Sequence, residues 1–144
     1  MKEKIFLGLF ALLVAIQFFP PKRNEGISGP NAIQNTISMP KEVTNVLKIS
    51  CYDCHSNQSL YPWYVNVQPV GWWMARHIIN GKKHLNFDEW RKYTPEKRKR
   101  KLQGIVEVLE EDEMPLKSYL LVHRKARLSD DEKQILAEWA KMEQ

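Results

Sequence analysis

The chain has 144 residues, of which 43% are hydrophobic and 27% charged, and it carries a formal net charge of +5. That length fits one domain and leaves little room for a second. The composition is that of a folded protein and argues against disorder.

At the N-terminus, Lys2 and Lys4 precede an apolar run from Ile5 to Phe19 that is broken only by Gln17. This is the layout of a secretory leader, a positive segment followed by a hydrophobic one. No small-residue cleavage site follows; the run ends in Phe18-Phe19-Pro20-Pro21-Lys22-Arg23. Residues 1–21 are therefore expected to remain as an anchor rather than be removed as a signal peptide, with the leading lysines held in the cytoplasm. Fifteen apolar residues make about 22 Å of helix, short of a bilayer core, so Phe18, Phe19 and the basic residues are expected to close the gap at the interface. Anchored or cleaved, the rest of the chain is expected outside the cytoplasm: on the periplasmic side of the cytoplasmic membrane, or free in the periplasm or secreted.

Residues 22–39 hold Gly26, Gly29 and Pro30 among scattered polar residues and read as a linker. The folded domain is expected over 40–144. Pro40 suits a first helical position, and Val43, Val46, Leu47 and Ser50 recur at helical spacing, so a helix should carry the chain into Cys51. Residues 56–64 open with polar side chains and contain Pro62, the signs of a loop. A second helix is expected from Pro69 to Asn80, stopped by Gly81. Thr94 and Pro95 open a third, to Glu111, with Leu102, Ile105, Val106 and Leu109 inward. Ser129 to Glu132 form a capping box before a last helix that turns Ile135, Leu136 and Trp139 inward. No stretch alternates as a strand does. The expected fold is all-α: four or five helices around one prosthetic group, preceded by the hydrophobic segment.

The prosthetic group is read from Cys51-Tyr52-Asp53-Cys54-His55, because Cys-x-x-Cys-His is the attachment signature of c-type haem. Residues three apart share a helix face, so Cys51 and Cys54 can both reach one porphyrin edge and form thioethers, while His55 offers a nitrogen to the iron. A redox dithiol would want a βαβ setting, which the surrounding pattern lacks. A structural zinc site would want four ligands, and no second Cys pair exists. An apolar porphyrin would also enlarge the core of a small, staple-free scaffold.

Candidates for the second axial ligand are Met39, Met74, Met114, His77, His84 and His123. Met114 is preferred because it precedes Pro115, and a residue before proline is pushed out of helical geometry, where a thioether can project into a cavity. Met39 lies just upstream of the haem helix and is expected to pack there, and Met74 to fill the core. His77 leaves a bis-His iron open; His84 and His123 are expected to be hydrogen-bonded structural residues. A vacant sixth site would point to ligand binding or peroxide chemistry. Trp63, Tyr64, Trp72 and Trp73 are expected to supply a dry pocket, although each is as good a candidate for plain core packing.

Arg91, Lys92 and residues 97–101 make a basic cluster, and Glu107, Glu110, Glu111, Asp112 and Glu113 an acidic run behind it. The plain reading is a solvated helix with its charges sorted by end; the sharper one is a docking surface for a redox partner protein. The cluster has few interleaved aromatics, so no nucleic acid is expected.

The stretches Cys51-Tyr-Asp-Cys-His-Ser-Asn, Tyr61-Pro-Trp-Tyr, Pro69-Val-Gly-Trp-Trp and His84-Leu-Asn-Phe-Asp-Glu-Trp resemble the bacterial haem-binding domain family of small c-type-cytochrome-like proteins. Glu113-Met-Pro, Tyr119 to His123 and Ala126-Arg-Leu-Ser resemble its C-terminal half. The resemblance implies one covalent haem on Cys51, Cys54 and His55 in an exported or membrane-attached protein, and says little about chemistry. The expected function is a monohaem cytochrome that carries single electrons and is not an enzyme; the alternative is a haem sensor or peroxide-reducing protein with an open sixth site.

Overall fold

Helices begin where capping groups relieve the unpaired N–H groups of a first turn. Thr94 accepts a hydrogen bond from the Lys97 N–H and is followed by Pro95, and Ser129 and Glu132 form the complete reciprocal capping box. In the computed structural model, which describes residues 1–144, the chain forms seven α-helices. These are α1 (Lys2–Ile16), α2 (Lys41–Ser50), α3 (Tyr52–His55), α4 (Val70–His84), α5 (Pro95–Glu110), α6 (Lys117–Leu120) and α7 (Asp130–Met142). Two of them, α3 and α6, are single turns of four residues, so α2, α4, α5 and α7 are the longer helices of the domain. No strand forms; Glu25 and Gln58 make one isolated bridge. The all-α expectation holds.

The apolar faces of α2, α5 and α7 meet in the core, with Val43, Leu47, Leu102, Leu136 and Trp139 almost fully buried. Phe87 and Trp90, from a 3-10 segment over Phe87–Lys92, complete it. Ile135 departs from expectation: it is exposed, because the inward stripe of α7 runs through Leu136, Trp139 and Ala140.

Helix α4 runs past Gly81 to His84, so Gly81 is not a terminator. A Cβ at Gly81 would lie 2.6 Å from the Cys54 carbonyl oxygen. The missing side chain lets α3 rest directly on α4, which is a glycine's other use.

Residues 22–39 carry no long regular element, yet they are bonded along their length. Asn24 donates its side-chain amide to the Ser56 carbonyl and the Ser59 hydroxyl, and accepts from Lys82. Ser28 donates to the buried Asp88, and Ala32 and Ile33 are fully buried. The segment is a strap across the domain.

Helix α1 buries none of its residues. Its last turn is nonetheless fixed, because the Gln17 side chain donates to the Gln68 carbonyl and accepts from the Gln68 N–H. Trp72 donates its indole N–H to the Phe19 carbonyl. No helix of the structure is long and apolar enough to cross a membrane. A membrane-spanning anchor at residues 1–21 is therefore not supported, since 15 residues rise about 22 Å against roughly 30 Å of hydrocarbon.

Candidate functional site

Cys51 closes α2, its N–H bonded to the Leu47 carbonyl, and α3 carries Asp53, Cys54 and His55 through one turn. The two thiols are free and only partly exposed. Burial pushes the Cys51 thiol up to about 12, aided by Cys54, and burial pushes Cys54 up to about 11, aided by Asp53. A catalytic dithiol needs a thiol lowered toward neutrality, so these neutral thiols speak against the dithiol reading.

The His55 ring is oriented from outside the motif. Nδ1 lies 3.0 Å from the Leu85 carbonyl oxygen, which can only accept, so Nδ1 carries the proton and Nε2 keeps its lone pair. Desolvation lowers the His55 pKa, and its hydrogen bonds to the backbone at Leu85 and Gly81 act the other way. A neutral imidazole held by a carbonyl at one nitrogen is the arrangement metal-binding histidines use. Phe87 sets its ring edge-on to His55 at 6.4 Å and stacks on Tyr52 at 5.2 Å, tying the motif to the core.

Asp53, between the cysteines, organises two neighbouring segments. Its Oδ1 accepts from the Leu60 N–H and its Oδ2 from the Tyr119 hydroxyl at 2.6 Å. Tyr119 stacks on His123 at 4.0 Å, and the Tyr64 hydroxyl reaches His123 Nε2 at 3.1 Å. His123 Nδ1 faces the Tyr119 carbonyl, so both nitrogens of His123 are engaged.

Met114 is partly buried in the turn between α5 and α6. That turn is closed by Asp112, whose φ of 55° is left-handed, while the Asp112, Glu113 and Met114 N–H groups bond back to the Leu109 and Val108 carbonyls. This is the helix-ending motif in which the chain reverses. The Tyr119 to Asp53 hydrogen bond then brings the segment after Met114 to the Cys-x-x-Cys-His turn.

The other candidates lie in different surroundings. Met39 packs against the core and Met74 is buried in α4. His84 is exposed at the end of α4, and His77 donates Nδ1–H to the Trp73 carbonyl while lying against the Trp73 ring. Trp73 and His77 precede Gly81 by eight and four residues, hence on the α4 face that meets Cys54. Trp72 is about two and a half turns from Gly81, on the opposite face, with its indole bonded to Phe19. The structure thus brings Tyr64 beside the motif and turns Trp72 away from it.

Sequence reasoning missed Leu85, Gly81, Asp53 and Tyr119. The Leu85 contribution is a carbonyl and leaves no trace in residue type; Asp53 and Tyr119 bear polar groups whose partnership only the fold reveals.

Uncovered apolar side chains lie on the segments that Asp53 gathers: Leu60 is 75% exposed, Trp63 77% and Leu121 76%. Two uncharged thiols, an oriented imidazole and uncovered apolar side chains fit a haem. Fold and site together define a small helical haem-binding protein. Residues 11–142 match the family model of the haem-binding domain, and the chain belongs to that family. No curated protein and no solved structure matches it.

Proposed function

We propose that the protein holds one haem covalently through Cys51 and Cys54 and acts as a one-electron carrier, not an enzyme, between redox partner proteins outside the cytoplasm. Haem, once bound, supplies a one-electron iron couple. The observation that carries the reading is the His55 to Leu85 hydrogen bond, which prepares Nε2 as a proximal ligand before any iron arrives. Met114 would supply a thioether to that iron, and a Met/His pair raises the potential. Tyr64, Trp63 and Trp73 contribute apolar cover, and the neutral thiols of Cys51 and Cys54 provide the tether. From Ile5 to Ile16, helix α1 is apolar on every side and buries no side chain against the domain, as a helix in lipid does not. It attaches the protein to the outer face of the cytoplasmic membrane by dipping into the apolar layer.

The test is the absorption spectrum of haem-loaded protein and of Met114→Ala. A low-spin spectrum with a methionine-to-iron charge-transfer band, lost in the variant, is expected. A high-spin resting spectrum with rapid carbon monoxide binding in the wild type would replace the carrier by a ligand-binding or peroxide-reducing protein.

A further inference from the structure

Beyond α1, the strap and α4 enclose a second feature, a cleft of about 450 Å³. Its walls bring together Lys22 and Arg23 from the strap and Lys82 and Lys83 from α4, with Tyr61 and Ile79 between them. The one carboxylate on the wall, Glu89, is already paired with Lys92. Arg23 is held by Glu25, by Asn66 and over the Tyr61 ring, and Lys82 is held by Asn24, so two of the four cations are fixed in place. Lys22 and Lys83 are exposed and form no ion pair.

The position of this cleft is informative. Lys82 and Ile79 lie ten and seven residues after Trp72, within the same half of the α4 surface. Trp72 is the residue bonded to Phe19 at the end of α1, and Phe18 and Phe19 are 78% and 69% exposed. The double hydrogen bond between Gln17 and Gln68 keeps α1 from swinging away. An apolar helix thus leads through exposed aromatic residues into a cleft with four cations on its walls. Aromatic residues settle at the membrane interface, and basic residues beside a membrane-embedded helix attract anionic lipid headgroups.

We infer that this cleft binds the phosphate of an anionic phospholipid headgroup, and so fixes the tilt of the haem domain on the membrane. The inference rests on the reading of α1 as lipid-embedded. The test is co-flotation of the haem-loaded full chain with vesicles of phosphatidylcholine alone or with one quarter phosphatidylglycerol. Wild type is expected to float with both and to prefer the anionic vesicles by roughly tenfold. Lys22→Gln/Lys83→Gln is expected to keep flotation on phosphatidylcholine and lose the preference, whereas Lys99→Gln/Lys125→Gln, with the same loss of charge, keeps it. Equal binding to both vesicles by wild type, or equal loss in the two double variants, overturns the cleft while leaving membrane attachment intact. Failure to float on phosphatidylcholine overturns the lipid-embedded helix and the cleft with it. If inorganic phosphate at constant ionic strength abolishes the preference, the cleft takes a free anion and the headgroup assignment is wrong.

Discussion

Gly81 rests against the backbone of Cys54, so that a Cβ added to Gly81 would also come within 3.1 Å of the Cys54 Cβ. Neither backbone can yield without moving the motif. Gly81→Ala is therefore expected to destabilise the protein by about 1–3 kcal/mol, although alanine is the better helix former by about 1 kcal/mol. Gly104, in α5, provides the control, because nothing lies within 4 Å of its added Cβ. Gly104→Ala should raise stability by up to about 1 kcal/mol. Urea denaturation of both variants checks the pair, and equal effects would remove the packing argument for Gly81.

Tyr119 reaches Asp53 through its hydroxyl alone. Tyr119→Phe keeps the ring on His123 but leaves Asp53 Oδ2 without that donor, at an expected cost of about 1–2 kcal/mol for a partly buried charged acceptor. Burial and Asp53 both raise the Tyr119 pKa, so the hydroxyl remains a donor throughout the ordinary pH range. Thermal melting at pH 7 should show a lowered Tm; an unchanged Tm would mean that the hydrogen bond contributes nothing net.

In the haem-free protein, both thiols should be slow to alkylate. With Cys54 raised to about 11 and Cys51 to about 12 from 9.0, the thiolate at pH 8 is reduced by roughly a hundredfold or more. Iodoacetamide labelling of folded apoprotein should be correspondingly slow, and fast after unfolding. The sign of the linked stability follows. The folded state holds its thiol protons to higher pH than the unfolded state, so apoprotein stability is full below about pH 9 and falls as pH rises toward 11 and 12. Fast labelling of folded protein at pH 8 would contradict the burial of the pair.

Helix starts were legible because caps are local: Thr94 and Ser129 announce α5 and α7 within four residues. The Cys-x-x-Cys-His motif was legible for the same reason, since its three named side chains lie within five residues. What the sequence hid depends on partners far along the chain. Gly81 resembles a helix terminator until Cys54 is seen against it, and residues 22–39 resemble a free tether until Asn24 is seen bonded to Ser56, Ser59 and Lys82. The Leu85 carbonyl that orients His55 is a backbone group, present at every position and meaningful at this one only through the fold. Trp72 and Trp73 are neighbours in sequence, but the helix directs them differently, one to Phe19 and the other alongside His77.

The most direct test is intact-mass measurement, with a pyridine haemochrome spectrum, on protein matured in a host that attaches haem. A coloured product, heavier than the polypeptide by one haem and lacking alkylatable thiols at Cys51 and Cys54, is expected. Colourless protein at the polypeptide mass, with both thiols labelled after unfolding, would contradict covalent attachment and the electron-carrier function built on it.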